Sequence, residues 1–103
     1  MDYGMKTRKR NGSIVDFDKN KIFNAIEKAV LASHADETFD SKVCNKLVDI
    51  INDECFAFCQ KIKSTTINIE DIQDIVERTL IKNGFADTAK EYILYRQKRN
   101  EIR

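Results

Sequence analysis

The chain has 103 residues, 42% of them apolar and 34% charged, with no proline and three glycines. That length suits one domain with a modest core and excludes a large enzyme with its own deep cavity. Lys and Arg number 18 against 17 Asp and Glu, a net charge of +1, which argues against a protein that coats nucleic acid through overall charge but leaves room for one local basic site.

The stretch MKTRKRNGSIVDF, residues 5–17, predicts a β-hairpin. Asn11-Gly12 suits a type I′ turn, which needs positive φ at both central residues. Asp18 follows as the N-cap of a first helix over about 19–33, striped by Ile22, Phe23, Ile26, Ala29 and Val30. HADETFD, 34–40, is a polar connection that contains His34 and candidate caps. A second, longer helix spans about 40–62, with Val43, Leu47, Ile50, Ile51, Phe58 and Ile62 marking its apolar side. STTINI, 64–69, is a short β-branched candidate strand. Asn68 with Asp71 resembles a capping box for a third helix over 69–82, which Asn83-Gly84 ends with a left-handed glycine. Asp87 or Thr88 caps a fourth helix, where Ala89, Tyr92, Ile93 and Arg96 share a face. Four amphipathic helices need mutual burial, so the expected fold is α+β, mainly α: a four-helix bundle capped by a small three-stranded sheet.

Cys44, Cys55 and Cys59 are odd in number and lack a framework spacing. They read as buried, reduced thiols, with a zinc site as the poorer alternative. No apolar run is long enough for a membrane span, and MDYGMKTRKRNG lacks the apolar stretch of a signal peptide; the chain reads as cytoplasmic. Asp16, Asp18, Glu70 and Asp71 are not paired catalytic carboxylates, because two are explained as caps and no nucleophile accompanies them. The basic tail RQKRNEIR is explained as well by a helix C-terminus as by nucleic acid. Tyr92 and Tyr95 fit core or rim positions better than a base-stacking role.

The basic turn is the candidate site. Lys9 and Arg10 precede it and Lys21 lies in the first turn of the following helix. A helix N-terminus with unpaired N–H groups, next to an Arg fork and mobile Lys charges, attracts a di- or triphosphate. A solvated, charged hairpin is the alternative reading.

KRNGSIVDFDKNKIFNAIEKAV resembles the opening of the ATP-cone domain, with its Lys-Arg-Asp-Gly turn, Phe-Asp and Lys-Ile. INIEDIQDIVERTLIKNGFADTAKEYILYRQKR resembles the rest of that domain, most of all in the anaerobic class of ribonucleoside-triphosphate reductase. The resemblance covers about residues 5–100, and residues 1–103 are expected to be a single ATP-cone domain. It implies a four-helix bundle with a three-stranded cap that binds ATP or dATP, with Mg2+, as an allosteric effector of a reductase's overall activity. The chain itself would not be an enzyme. Its partners would be the adenine nucleotide, the catalytic domain of a parent reductase and, depending on nucleotide, a second copy; no membrane and no nucleic acid are expected. The alternatives are the cone of a transcriptional repressor of reductase genes, which carries a Cys₄ zinc ribbon before the cone, and a stand-alone interaction domain.

By the resemblance, the nucleotide-binding residues are Thr7, Lys9, Arg10, Asn11, Gly12, Phe17, Lys21, Ile22, Gln73, Arg96 and Gln97. Thr7 would meet adenine through backbone atoms, and Lys9 and Arg10 would line the nucleotide. Gly12 would close the turn, and Lys21 would hold phosphate. Gln73 stands where some members carry a nucleotide-facing His, and Arg96 with Gln97 where the last helix sends a basic group to phosphate. Asn11 replaces the Asp of many members and Val15 their Glu, so base recognition falls to the backbone or to Asp16.

Overall fold

The computed structural model describes residues 4–33 and 40–101. Its elements run β1 (Lys6–Arg8), β2 (Ile14–Asp16), α1 (Lys19–Ser33), α2 (Ser41–Ile62), β3 (Thr66–Asn68), α3 (Ile69–Lys82) and α4 (Ala86–Glu101). The expected order and class hold. His34 and most of the polar connection lie outside the described residues.

The helices form a closed ring of neighbours: α1 packs on α2 and α4, and α3 packs on α2 and α4. Apolar residues at i, i+3, i+4 and i+7 turn one stripe of each helix inward. Ile26, Ile51, Val76 and Leu80 are wholly buried at the centre, with Ala29, Leu47, Ile72, Ile75, Ala89 and Tyr92 around them. On α2 the buried stripe is Cys44, Leu47, Val48, Ile51, Cys55 and Cys59, while Ile62 is 47% exposed. The expected face was therefore rotated at its C-terminal end, because cysteines rather than the larger apolar residues fill the inner positions. All three thiols are free and buried.

Asp18 caps α1, its Oδ1 accepting from the Asn20 N–H at 2.9 Å. Asp40 caps α2 in the same way from Val43 N–H, at 2.9 Å. Helix α2 ends on Lys63, which stands in the left-handed region at φ 56°. Gly84, at φ 88°, closes α3 with a Phe85 N–H to Leu80 C=O bond of 2.9 Å, the geometry that favours glycine after a helix. Two expected caps are corrected. Asn68 makes no side-chain capping bond; it is the last residue of β3, and strand pairing sets its backbone. Helix α4 begins at Ala86, with the Phe85 carbonyl accepting from Ala89 N–H. Asp87 is therefore inside the first turn, where its charge complements the helix dipole, and Thr88 is fully buried.

The sheet order is β2-β1-β3. The hairpin strands pair antiparallel, Lys6 with Asp16 and Arg8 with Ile14. The other edge of β1 pairs in parallel with β3, Lys6 with Thr66 and Arg8 with Asn68. Strand β3 lies against α2 and α3, and Met5, Thr7 and Ile67 turn their side chains into the core. The sheet is thereby pinned to the bundle, with α3 starting directly where β3 ends.

Candidate functional site

The hairpin tip runs from Lys9 to Ser13. Lys9 N–H donates to Ser13 C=O at 2.8 Å and Gly12 N–H to Lys9 C=O at 2.9 Å. Arg10 and Asn11 are thus the central residues of the turn, and Gly12 follows at φ 87°. This corrects the type I′ expectation, since Asn11 does not take a positive φ. A turn followed by one left-handed glycine matches strand twist equally well. Asn11 serves the turn through its side chain instead: Oδ1 accepts from Ser13 N–H at 3.0 Å and from Ser13 Oγ at 2.6 Å.

This tip leans on α3. Arg10 Nη1 pairs with Glu70 Oε1 at 3.2 Å, and Arg10 Nη2 donates to Gln73 Oε1 at 3.3 Å. The structure thus brings together Arg10 and Gln73, far apart in the chain, and adds Glu70 to them. Lys9 and Lys21 are exposed, and among the described residues no carboxylate pairs with either. They lie at opposite ends of the hairpin: Lys9 at the tip, Lys21 beyond the far end of β2. A three-residue strand spans about 10 Å, so these groups suit an elongated anion with several charges.

The remaining candidates are distributed unequally. Thr7 is 7% exposed and sits in the central strand, flanked on both edges, so its side chain serves the core. Ile22 is likewise buried, and Phe17 packs half-buried against the core where β2 turns into α1. Asp16 is held by Lys6 across the strand pair; the hydrogen bond and the adjacent positive charge lower its carboxyl pKa. Arg96 is committed elsewhere. Its Nη1 meets Asp74 Oδ1 at 3.1 Å and also Glu77 Oε1, with only 17% of its side chain exposed. Burial pulls the guanidinium pKa down, but hydrogen bonds to Glu77 and Asp74 outweigh this and leave it raised. Gln97 is exposed on α4. Tyr92 is buried in the core, which raises its phenol pKa, and stands beside Tyr95 with ring centroids 6.3 Å apart.

Glu70, Asp74 and Glu77 were not among the expected site residues. Their signal was present in the sequence: with Gln73 they recur at i, i+3, i+4 and i+7, one polar stripe on α3. The structure sets Arg10 against one end of that stripe and Arg96 against the other.

Among the described residues no group of three or more His, Cys, Asp or Glu side chains is placed to hold a metal ion, and no helix is long and apolar enough to cross a membrane. A family model described as the ATP cone domain matches residues 5–101. The chain belongs to the ATP-cone family. This cone is 38% identical over 101 residues to a vitamin B12-dependent ribonucleoside-diphosphate reductase of Thermoplasma acidophilum, covering 92% of this chain and 12% of that protein. It is 36% identical over 105 residues to the alpha subunit of a Chlamydia muridarum ribonucleoside-diphosphate reductase, covering 92% of the cone and 9% of the relative. An anaerobic ribonucleoside-triphosphate reductase of Haemophilus influenzae is 34% identical over 95 residues, with 92% of the cone and 12% of the relative covered. The cone therefore spans about a tenth of the length of these curated relatives, which include three kinds of reductase.

Proposed function

We propose that this cone, as one domain, binds ATP or dATP at the hairpin and α3 and acts as an allosteric regulator of a ribonucleotide reductase to which it belongs. The observation that carries the reading is the placement of Arg10 beside Gln73, with Lys9 and Lys21 exposed and, among the described residues, paired with no carboxylate. Family membership supports the nucleotide class. Charge-assisted contacts from Lys9, Arg10 and Lys21 hold the phosphates, and Gln73 orients Arg10. Mg2+ accompanies the triphosphate as part of the ligand. Phe17 and Ile22 form the apolar backing behind the hairpin, with the buried Thr7 beside them in β1, and Asn11 and Gly12 shape its tip.

Arg96 has a different part in this proposal. Its charge is already balanced by two carboxylates, so it braces α4 against α3 and contributes little direct attraction to phosphate. Gln97, on the exposed side of α4, remains a candidate for the outermost contact. The cone acts as a regulator, and the signal leaves through its surface, to a catalytic domain or a second copy, by coupling between ligand and packing.

The test is calorimetric titration with ATP and dATP in the presence of Mg2+. Lys9→Ala and Lys21→Ala should each weaken binding on the order of ten- to a hundredfold, since a hydrogen bond to a charged group is worth about 1.5–3 kcal/mol. Both variants should remain folded, because neither side chain enters the core. Unchanged affinity in both would remove the site assignment.

A further inference from the structure

We propose that Glu70 is an internal competitor for the phosphate site: its carboxylate occupies Arg10 in the unliganded chain, and a nucleotide binds by displacing it. The inference rests on the reading of Arg10 as a phosphate ligand and names a residue that tunes that site.

The geometry sets Glu70 and a phosphate in competition for Nη1. Arg10 directs Nη1 to Glu70 at 3.2 Å and Nη2 to Gln73 at 3.3 Å. A guanidinium grips phosphate through two parallel N–H groups on one edge. Glu70 stands 3.2 Å from Nη1 while Gln73 accepts from Nη2, so a phosphate gripped end-on through both terminal nitrogens competes with Glu70 for Nη1. Glu70 can withdraw: its side chain is 47% exposed and that of Arg10 is 31% exposed, and the pair is the hairpin tip's only ion pair among the described residues. Gln73 is neutral, so it can stay with Arg10 in either state.

Arg96 shows the contrast. On the same stripe of α3, it meets two carboxylates with only 17% of its side chain exposed. One arginine is held by a single exposed carboxylate and can exchange partners; the other is held by two and cannot readily leave. Glu70 also stands in the first turn of α3 with Asp71. A phosphate arriving at Arg10 would therefore face repulsion from a carboxylate that stayed in place. Displacement relieves this and leaves Gln73 as the side chain that still ties Arg10 to α3, so ligand charge and tip position are coupled.

The experiment is an ATP titration of the full 103-residue chain as wild type, Glu70→Gln, Arg10→Ala and the double variant. Glu70→Gln preserves the shape of the side chain, and circular dichroism checks its fold. Freeing Arg10 from an exposed ion pair should tighten ATP binding about two- to fivefold. In the Arg10→Ala background the same change should bring no comparable gain, because there is no guanidinium to free. Wild-type binding with no gain in Glu70→Gln overturns the competitor and leaves the nucleotide site standing. An equal gain in both backgrounds overturns it too, since Glu70 would then act by simple repulsion. Failure of both wild type and Glu70→Gln to bind ATP overturns the nucleotide reading and this inference with it.

Discussion

Replacing Arg96 by Met keeps most of the aliphatic stem and removes the charge, so it isolates the brace between α3 and α4. The two pairs it deletes are unequal. Asp74 has 61% of its side chain exposed, and such a contact is worth a few tenths of a kcal/mol at most. Glu77 is only 19% exposed opposite an Arg96 that is 17% exposed, and a charge-assisted hydrogen bond in that setting is worth about 1.5–3 kcal/mol. The variant also leaves Glu77 half-buried without its countercharge. Together these give a loss of about 2 kcal/mol, which lowers Tm by about 8–16 °C in a domain of this size. Urea unfolding followed by circular dichroism would measure it. A cycle with Glu77→Gln should recover most of the loss as coupling, because the neutral amide has no charge to strand. A loss under about 0.5 kcal/mol with negligible coupling would refute the brace and return Arg96 to the ligand-binding set. In the same variant ATP affinity should fall less than in Lys9→Ala.

Burial holds the thiols protonated, with Cys44 pushed up to about 11 and Cys55 to about 12 from an ordinary 9.0. The unfolded chain releases these protons first, so stability is full below pH 9 and falls as pH rises toward those values, by up to about 1.4 kcal/mol per pH unit for each thiol. A urea midpoint that stays flat between about pH 8.5 and 10 would contradict this. Lys63→Gly should raise stability by about 0.5–1 kcal/mol, because φ 56° strains a side-chain-bearing residue and suits glycine; chemical denaturation reads the sign. Adenine nucleotides should outrank guanine ones only modestly, by about 1–2 kcal/mol, since Val15 cannot accept from the adenine amino group. GTP binding as tight as ATP in the same titration would remove the base preference and keep the phosphate site.

Signals local to a few residues were legible. Asp18 before an apolar stripe and Gly84 after one marked helix ends correctly, because caps satisfy backbone groups within one turn. Asn11-Gly12 marked a hairpin, but not which of two turn geometries closes it: both need a left-handed glycine, and the choice depends on the Asn11 side chain reaching Ser13. Asn68 has a capping residue's chemistry, yet pairing with β1 decided its conformation. At the candidate site the basic residues were visible as residue types. The polar stripe on α3 was readable too, but not which arginine each carboxylate meets, because Glu70 and Glu77 reach Arg10 and Arg96 only once the hairpin and α4 have docked on α3.

The central position of β1 also governs the order in which the chain can acquire its parts. Pairing with β2 is local and forms across a tight turn, whereas pairing with β3 joins Lys6 to Thr66 and closes a loop that contains α1 and α2. Closing so long a loop lowers chain entropy before its contacts repay the loss, which makes it a slow step relative to helix formation. A chain whose helices have formed but whose β1 has not yet found β3 holds most of its core and lacks the docking that sets Arg10 beside Gln73. The placement of Arg10 beside Gln73, on which the proposed site rests, therefore depends on this long-range pairing and not on the secondary structure alone.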